Sequence, residues 1–161
     1  MKEIIDKIST YNFLNDLFPG VLFVVFSKQV TGYSFVQSDI VIGVFLYYFI
    51  GLVINRFGSL IIEPFLKWIQ FLKFSDYKKF VSASKRDSKI EVLSETNNMY
   101  RTIVSAFVLI FLLKIYELVA TKVDWLSIWT PHILAVLLLI IFLYSYRKQT
   151  QYIVKRVKNN K

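Results

Sequence analysis

The chain has 161 residues and a formal net charge of +9; 55 % of its residues are hydrophobic and only 19 % charged. Its mean hydropathy is +0.49. A soluble globular domain carries about a quarter charged residues, so this composition excludes an ordinary soluble domain and points to a small polytopic membrane protein. The absence of cysteine and the single histidine, His132, exclude disulfide frameworks, thiolate sites and a multi-histidine metal centre within one chain. No cofactor is expected.

Taken in chain order, residues 2–16 are predicted to form an amphipathic helix. Ile4, Ile5, Ile8, Tyr11 and Phe18 recur at helical spacing, with Glu3, Asp6 and Asn12 elsewhere. Such a helix leading into a span serves as an interfacial anchor or as a gate. A bilayer crossing needs about 20 largely apolar residues, and four stretches qualify: about 11–30, 40–62, 102–121 and 128–146. The first is interrupted by Asp16, Pro19 and Gly20. The third carries Lys114 and Glu117, while IVIGVFLYYFIGLVI and ILAVLLLIIFLYSY in the second and fourth hold no charge. The fold class is therefore an all-α integral membrane protein, a single membrane domain over residues 1–161.

Between the second and third spans lies segment 63–101. Glu63-Pro64 should break or kink the helix. FLKWIQFLKF then offers Trp68 at headgroup level and Lys67 and Lys73 to snorkel, as an interface-lying helix requires. Residues 76–98 are polar and are predicted to be one further helix, with Phe80, Val81 and Leu93 as its thin apolar side.

Basic residues set the orientation. Segment 63–101 carries eight Lys/Arg and the tail 147–161 six, with no acid in the tail, whereas the short loops near 28–39 and 122–124 hold one each. Both basic regions, and with them both termini, are expected on the cytoplasmic side of the membrane. MKEIIDKIST shows no cleavable signal; the first span is expected to act as its own.

Charges inside a membrane are costly and mark functional candidates. Asp16 and Arg56 fall about 7.5 and 9 Å from the cytoplasmic ends of their spans at 1.5 Å per residue, so an Asp16–Arg56 ion pair is expected, with Asn55 beside it. It serves as a lock between two helices or as the lining of a pore or vestibule. Lys114 and Glu117 share one face of the third span. They satisfy each other or reach the headgroups, or Glu117 relays protons with His132. Gly43, Gly51 and Gly58, spaced eight and seven apart, return to nearly one helix face and are expected to mediate helix packing.

Lys78, Lys79, Lys85, Arg86 and Lys89, with Arg147, Lys148, Lys155 and Arg156, would form a phosphate-binding surface, with Tyr77, Phe80 and Tyr152 as stacking faces. The same residues are what topology and anionic lipids demand of any such protein. There is no phosphate-cradling glycine loop, nucleophile elbow or paired carboxylate, and an enzyme is not expected.

The segments YNFLNDLFPGVLF, YYFIGLVINRFGSLIIEP and SETNNMYRTIVSAF resemble small four-span membrane effectors of bacterial anti-phage defence, in particular the Hailong type, and the likeness runs over most of the chain. The resemblance implies a tetrameric channel held shut by short DNA chains made by a partner nucleotidyltransferase. It assigns no gate or ligand residue individually. The expected function is thus an oligomeric ion channel released by a cytoplasmic signal. The alternatives are a small proton-coupled transporter or transporter subunit and a membrane adaptor that recruits a cytoplasmic partner.

Overall fold

The computed structural model describes residues 2–159, with side chains over 13–158. All regular structure among them is helical: α1 (Lys2–Val30), α2 (Ile40–Phe57), a π-helical turn (Gly58–Ile62), α3 (Glu63–Trp68), α4 (Tyr77–Arg86), α5 (Lys89–Ala120) and α6 (Asp124–Asn159). Four stretches are long and apolar enough to cross a membrane: Phe13–Val30, Ile40–Trp68, Lys89–Ala120 and Asp124–Lys158. The fold is all-α, as composition and periodicity predict. The face of the N-terminal helix set by Ile4, Ile5, Ile8 and Tyr11 lies outside the described residues.

Successive helices run up and down. Loop 31–39 and turn 121–123 share one end of the bundle, the short-loop end, where the Gly32 amide meets Glu117 of α5. The segment 63–88 and the C-terminal stretch share the other, the basic end, where Lys148 of α6 reaches Ser59. Local chemistry sets the helix starts. Asp39 accepts the Ile42 amide at 3.0 Å and Asp76 the Lys78 amide at 2.8 Å, each satisfying a donor that the first helical turn leaves open.

Helices α1, α2 and α5 make the core. Val24, Ile54, Ala106 and Ile110 are buried in it, together with Ser27, Thr102 and Ser105. Those three hydroxyls donate to carbonyls of their own helices (Val24, Asn98 and Arg101), so none of the three is left unpaired. Small side chains are what close packing in a membrane uses, because lipid removes the hydrophobic drive between helices. The closest approach pairs Gly20 of α1 with Gly51 of α2. A β-carbon on Gly20 would overlap the Tyr47 carbonyl, and one on Gly51 the Asp16 carbonyl. The expected stripe of Gly43, Gly51 and Gly58 therefore divides. Gly51 faces α1, Gly58 faces Ser105 of α5, and Gly43 has only ordinary neighbours at 3.5 Å and beyond. Helix α6 stands to one side, with none of its apolar stretch buried.

Four expectations are corrected. Pro19 and Gly20 do not interrupt α1, which runs through them with Pro19 buried. Of the break or kink expected at Glu63-Pro64, the break does not occur: helical structure runs on to Trp68. The turn at 58–62 widens to π geometry, the Glu63 amide donating to the Gly58 carbonyl, and this absorbs the donor and the room that proline removes. The helix ends at Trp68 instead, where Gln70 takes a left-handed φ of 60° and the Phe71 amide turns back to the Leu66 carbonyl. FLKWIQFLKF is consequently not one interfacial helix. Nor is 76–98 a single helix: it breaks at Asp87, whose carboxylate accepts the Lys89 amide at 2.9 Å, and α5 then continues unbroken into the third span.

Candidate functional site

The polar side chains of the spans gather at two levels. At the basic end, Asn55 of α2 donates to the Asp16 carboxylate of α1 at 2.7 Å, and its amide oxygen accepts from the Arg101 guanidinium of α5 at 2.8 Å. Arg101 turns its other terminal nitrogen to Glu63 at 2.8 Å. Glu63, itself buried, also holds Lys67 one turn along at 2.7 Å. From α6, the Lys148 ammonium donates to the Ser59 carbonyl and hydroxyl at 2.6 and 2.7 Å. All four membrane-length helices thus meet in one layer, centred on the π turn. Ser59 lies within the π turn and Glu63 directly follows it.

The expected Asp16–Arg56 ion pair is replaced by Asp16–Asn55. Arg56 acts on Asp16 through its field, and so does Arg101. The reason is angular, since adjacent residues on a helix point about 100° apart. With Gly51 against the Asp16 backbone, it is Asn55, one turn later on the same face, that meets the Asp16 side chain. Glu63 is paired with Lys67 and Arg101, while the Asp16 carboxylate has the neutral Asn55 amide as its hydrogen-bond partner. Lys148 finds neutral oxygens rather than a carboxylate. One nitrogen of Arg101, Nε, is buried without a partner.

Arg101 and Glu63, the hub of this network, are not among the residues singled out from sequence. Glu63 reads there as half of a helix break and Arg101 as one of eight basic residues setting topology. A usable signal existed. The end of one span and the start of the next antiparallel span lie at equal depth, which sets Glu63 beside Arg101.

At the short-loop end, Lys114 donates to Glu117 at 2.7 Å and the Gly32 amide donates to the other Glu117 oxygen at 2.6 Å. Glu117 is thereby held on both oxygens. Tyr116 and Thr130 share a hydrogen bond that ties α5 to α6. In the adjoining loop, the Tyr33 hydroxyl is held above its ordinary range, first by loss of solvent and then by Tyr116 and Glu117. His132 is exposed and packs on Trp129 of its own helix, ring centroids 5.4 Å apart. No Glu117–His132 relay is assembled.

The basic candidates separate into three groups. Lys78, Lys79 and Arg86 line an open groove of about 540 Å³ with Ser82, Ala83, Asp87 and Ile90; Lys85 and Lys89 do not line it. Arg147, Lys155 and Arg156 are exposed on the C-terminal stretch of α6. Lys148 belongs to the bundle layer. Among the described residues, no three metal-ligating side chains come together. No family model, curated protein or solved structure matches the chain.

Proposed function

We propose that the chain is one subunit of an oligomeric ion channel of a bacterial inner membrane, with both termini cytoplasmic. The observation that carries this reading is the charged layer at the basic end, which links all four spans and sets the Lys148 ammonium on neutral oxygens rather than on a carboxylate. A purely structural lock inside lipid is expected to balance its charges, because each unmatched ion there is costly. An ammonium so placed suits a site reached by water or by an anion. The tight Gly20–Gly51 approach leaves no room for a wide aqueous path between α1 and α2. Conduction is assigned to the space between copies.

The Lys148 ammonium, the Lys78/Lys79/Arg86 groove and the exposed basic C-terminal stretch make an anionic cytoplasmic ligand the natural control. By the resemblance in sequence, that ligand is a nucleotide or short single-stranded DNA made by a partner nucleotidyltransferase, in an anti-phage defence role.

The experiment is ion flux from liposomes carrying the purified protein, with and without short single-stranded DNA. Leak that DNA suppresses is expected. Asp16→Ala and Arg56→Ala should alter that leak while still inserting and assembling. No leak under either condition overturns the channel reading and turns attention to the adaptor. Unchanged leak in both variants overturns the assignment of this layer.

A further inference from the structure

The second span does not stop at the edge of the hydrocarbon. From Ile40 to Trp68 helical structure is continuous over 29 residues, about 42 Å at 1.5 Å per residue. A bilayer with its headgroups measures about 40–45 Å, and a tilt of about 20° takes only about 3 Å from the reach of such a helix. With Asp39, which caps the start of α2, among the headgroups of one face, Trp68 falls among those of the other. There the chain turns back. Gln70 takes its left-handed conformation, and the Phe71 and Leu72 amides both donate to the Leu66 carbonyl, at 2.9 and 3.2 Å. The Lys67 ammonium lies 4.0 Å from the centre of the Phe74 ring while it holds Glu63 at 2.7 Å. Residues 65–74 are thus a hook, folded against the end of the helix that carries the charged layer.

What the hook presents is aromatic and basic. Trp68 is 79 % and Phe71 74 % exposed, and Phe65, Ile69 and Phe74 are each about half exposed. Lys67 and Lys73 are exposed among them, and no acid occurs from 64 to 75. So much contiguous ring surface marks a contact site rather than a face left in water. The centres of protein–protein interfaces are depleted in lysine, which disfavours a protein as the occupant. The headgroup layer of a membrane takes both residue types. Tryptophan rings settle at that level, and lysine stems lie along apolar surface while their ammonium groups reach phosphate.

We propose that hook 65–74 is a lipid-binding element, seated in the headgroup layer at the basic end of the bundle. Its rings lie between lipids, and Lys67 and Lys73 draw anionic headgroups to it. This seat rests on the four membrane-length helices and not on conduction. Lys67 also holds Glu63, so the charged layer and the lipid surface share one ammonium.

The chain has three tryptophans, and Trp125→Phe with Trp129→Phe leaves Trp68 as the sole indole emitter. The full-length variant is placed in nanodiscs of phosphatidylcholine and phosphatidylglycerol, which are open to solvent on both faces. Its fluorescence is quenched in turn by lipid brominated high on the acyl chain, by lipid brominated near the chain end and by aqueous iodide. High bromines should quench Trp68 about twofold or more beyond deep ones, since tryptophan settles at headgroup level. Iodide should quench it far less than it quenches free tryptophan. High bromines carried on phosphatidylglycerol should quench more than the same mole fraction carried on phosphatidylcholine; equal quenching overturns the anionic preference. Iodide quenching near that of free tryptophan, with no effect of bromine, puts the hook in water and overturns the proposal. Protection from both quenchers overturns it too, because protein then covers the ring, and so does stronger quenching by the deep bromines. Phe71→Ser with Phe74→Ser, at exposed positions outside the bundle core, should raise iodide quenching of Trp68 severalfold while the melting midpoint holds. Unchanged iodide quenching in that variant would mean that the two rings do not hold the hook in the membrane.

Discussion

At the short-loop end, the carboxylate of Glu117 is answered three residues away by Lys114, with one amide from loop 31–39 added. At the basic end, Asp16, Asn55, Glu63 and Arg101 reach one another only across three helices, from partners 38 to 46 residues apart in sequence. The first arrangement is available to any helix carrying those two residues at that spacing. The second exists only once α1, α2 and α5 have packed. A charge satisfied locally therefore says little about function or assembly, while a charge satisfied across helices binds the fold and the candidate site into one object.

Three substitutions sharpen that contrast. The largest effect is expected from Arg101→Ala. It leaves buried Glu63 with Lys67 alone and removes the donor to Asn55, and breaking a buried pair from one side costs about 3 kcal/mol or more. Thermal unfolding in detergent should show a clear fall in midpoint; an unchanged midpoint would mean that the network is dispensable.

Next comes Gly51→Ala. Its methyl group would overlap the Asp16 carbonyl, which belongs to the backbone and cannot swing aside. Overpacking of this kind costs about 1–3 kcal/mol. Helices α1 and α2 should part, which a lower melting point together with faster proteolysis in loop 31–39 would register. Gly43→Ala is the matched control and should change little, because its neighbours already stand at van der Waals distance. The smallest effect is expected from Glu117→Gln, which keeps an acceptor for the Gly32 amide and loses a partly exposed i,i+3 ion pair. Such pairs contribute little, so the melting temperature should hold. A fall comparable to that of Arg101→Ala would erase the distinction between the two ends.

Much of the architecture was legible residue by residue. The runs IVIGVFLYYFIGLVI and ILAVLLLIIFLYSY, uncharged and set in stretches of about 20 largely apolar residues, read as membrane-crossing helices, since a helix satisfies its own backbone in lipid. The local pair of Lys114 and Glu117 was equally legible, because helical spacing alone brings it together. Pro19 misled in the first span, and Pro64 in the second, because a proline removes a hydrogen bond only locally. Burial of Pro19 and a π turn before Pro64 keep each helix whole.

The sequence by itself determined the helical class, the four apolar stretches and the concentration of basic charge in two segments. All of these depend on residue type and on spacing within one segment. Tertiary structure decided which polar groups meet. It put Asn55 rather than Arg56 on Asp16, and Arg101 on Glu63. It also put Gly20 opposite Gly51 and left one side of α6 open. Those outcomes depend on the rotation and depth of one helix against another, and side-chain packing fixes these only when the whole bundle closes.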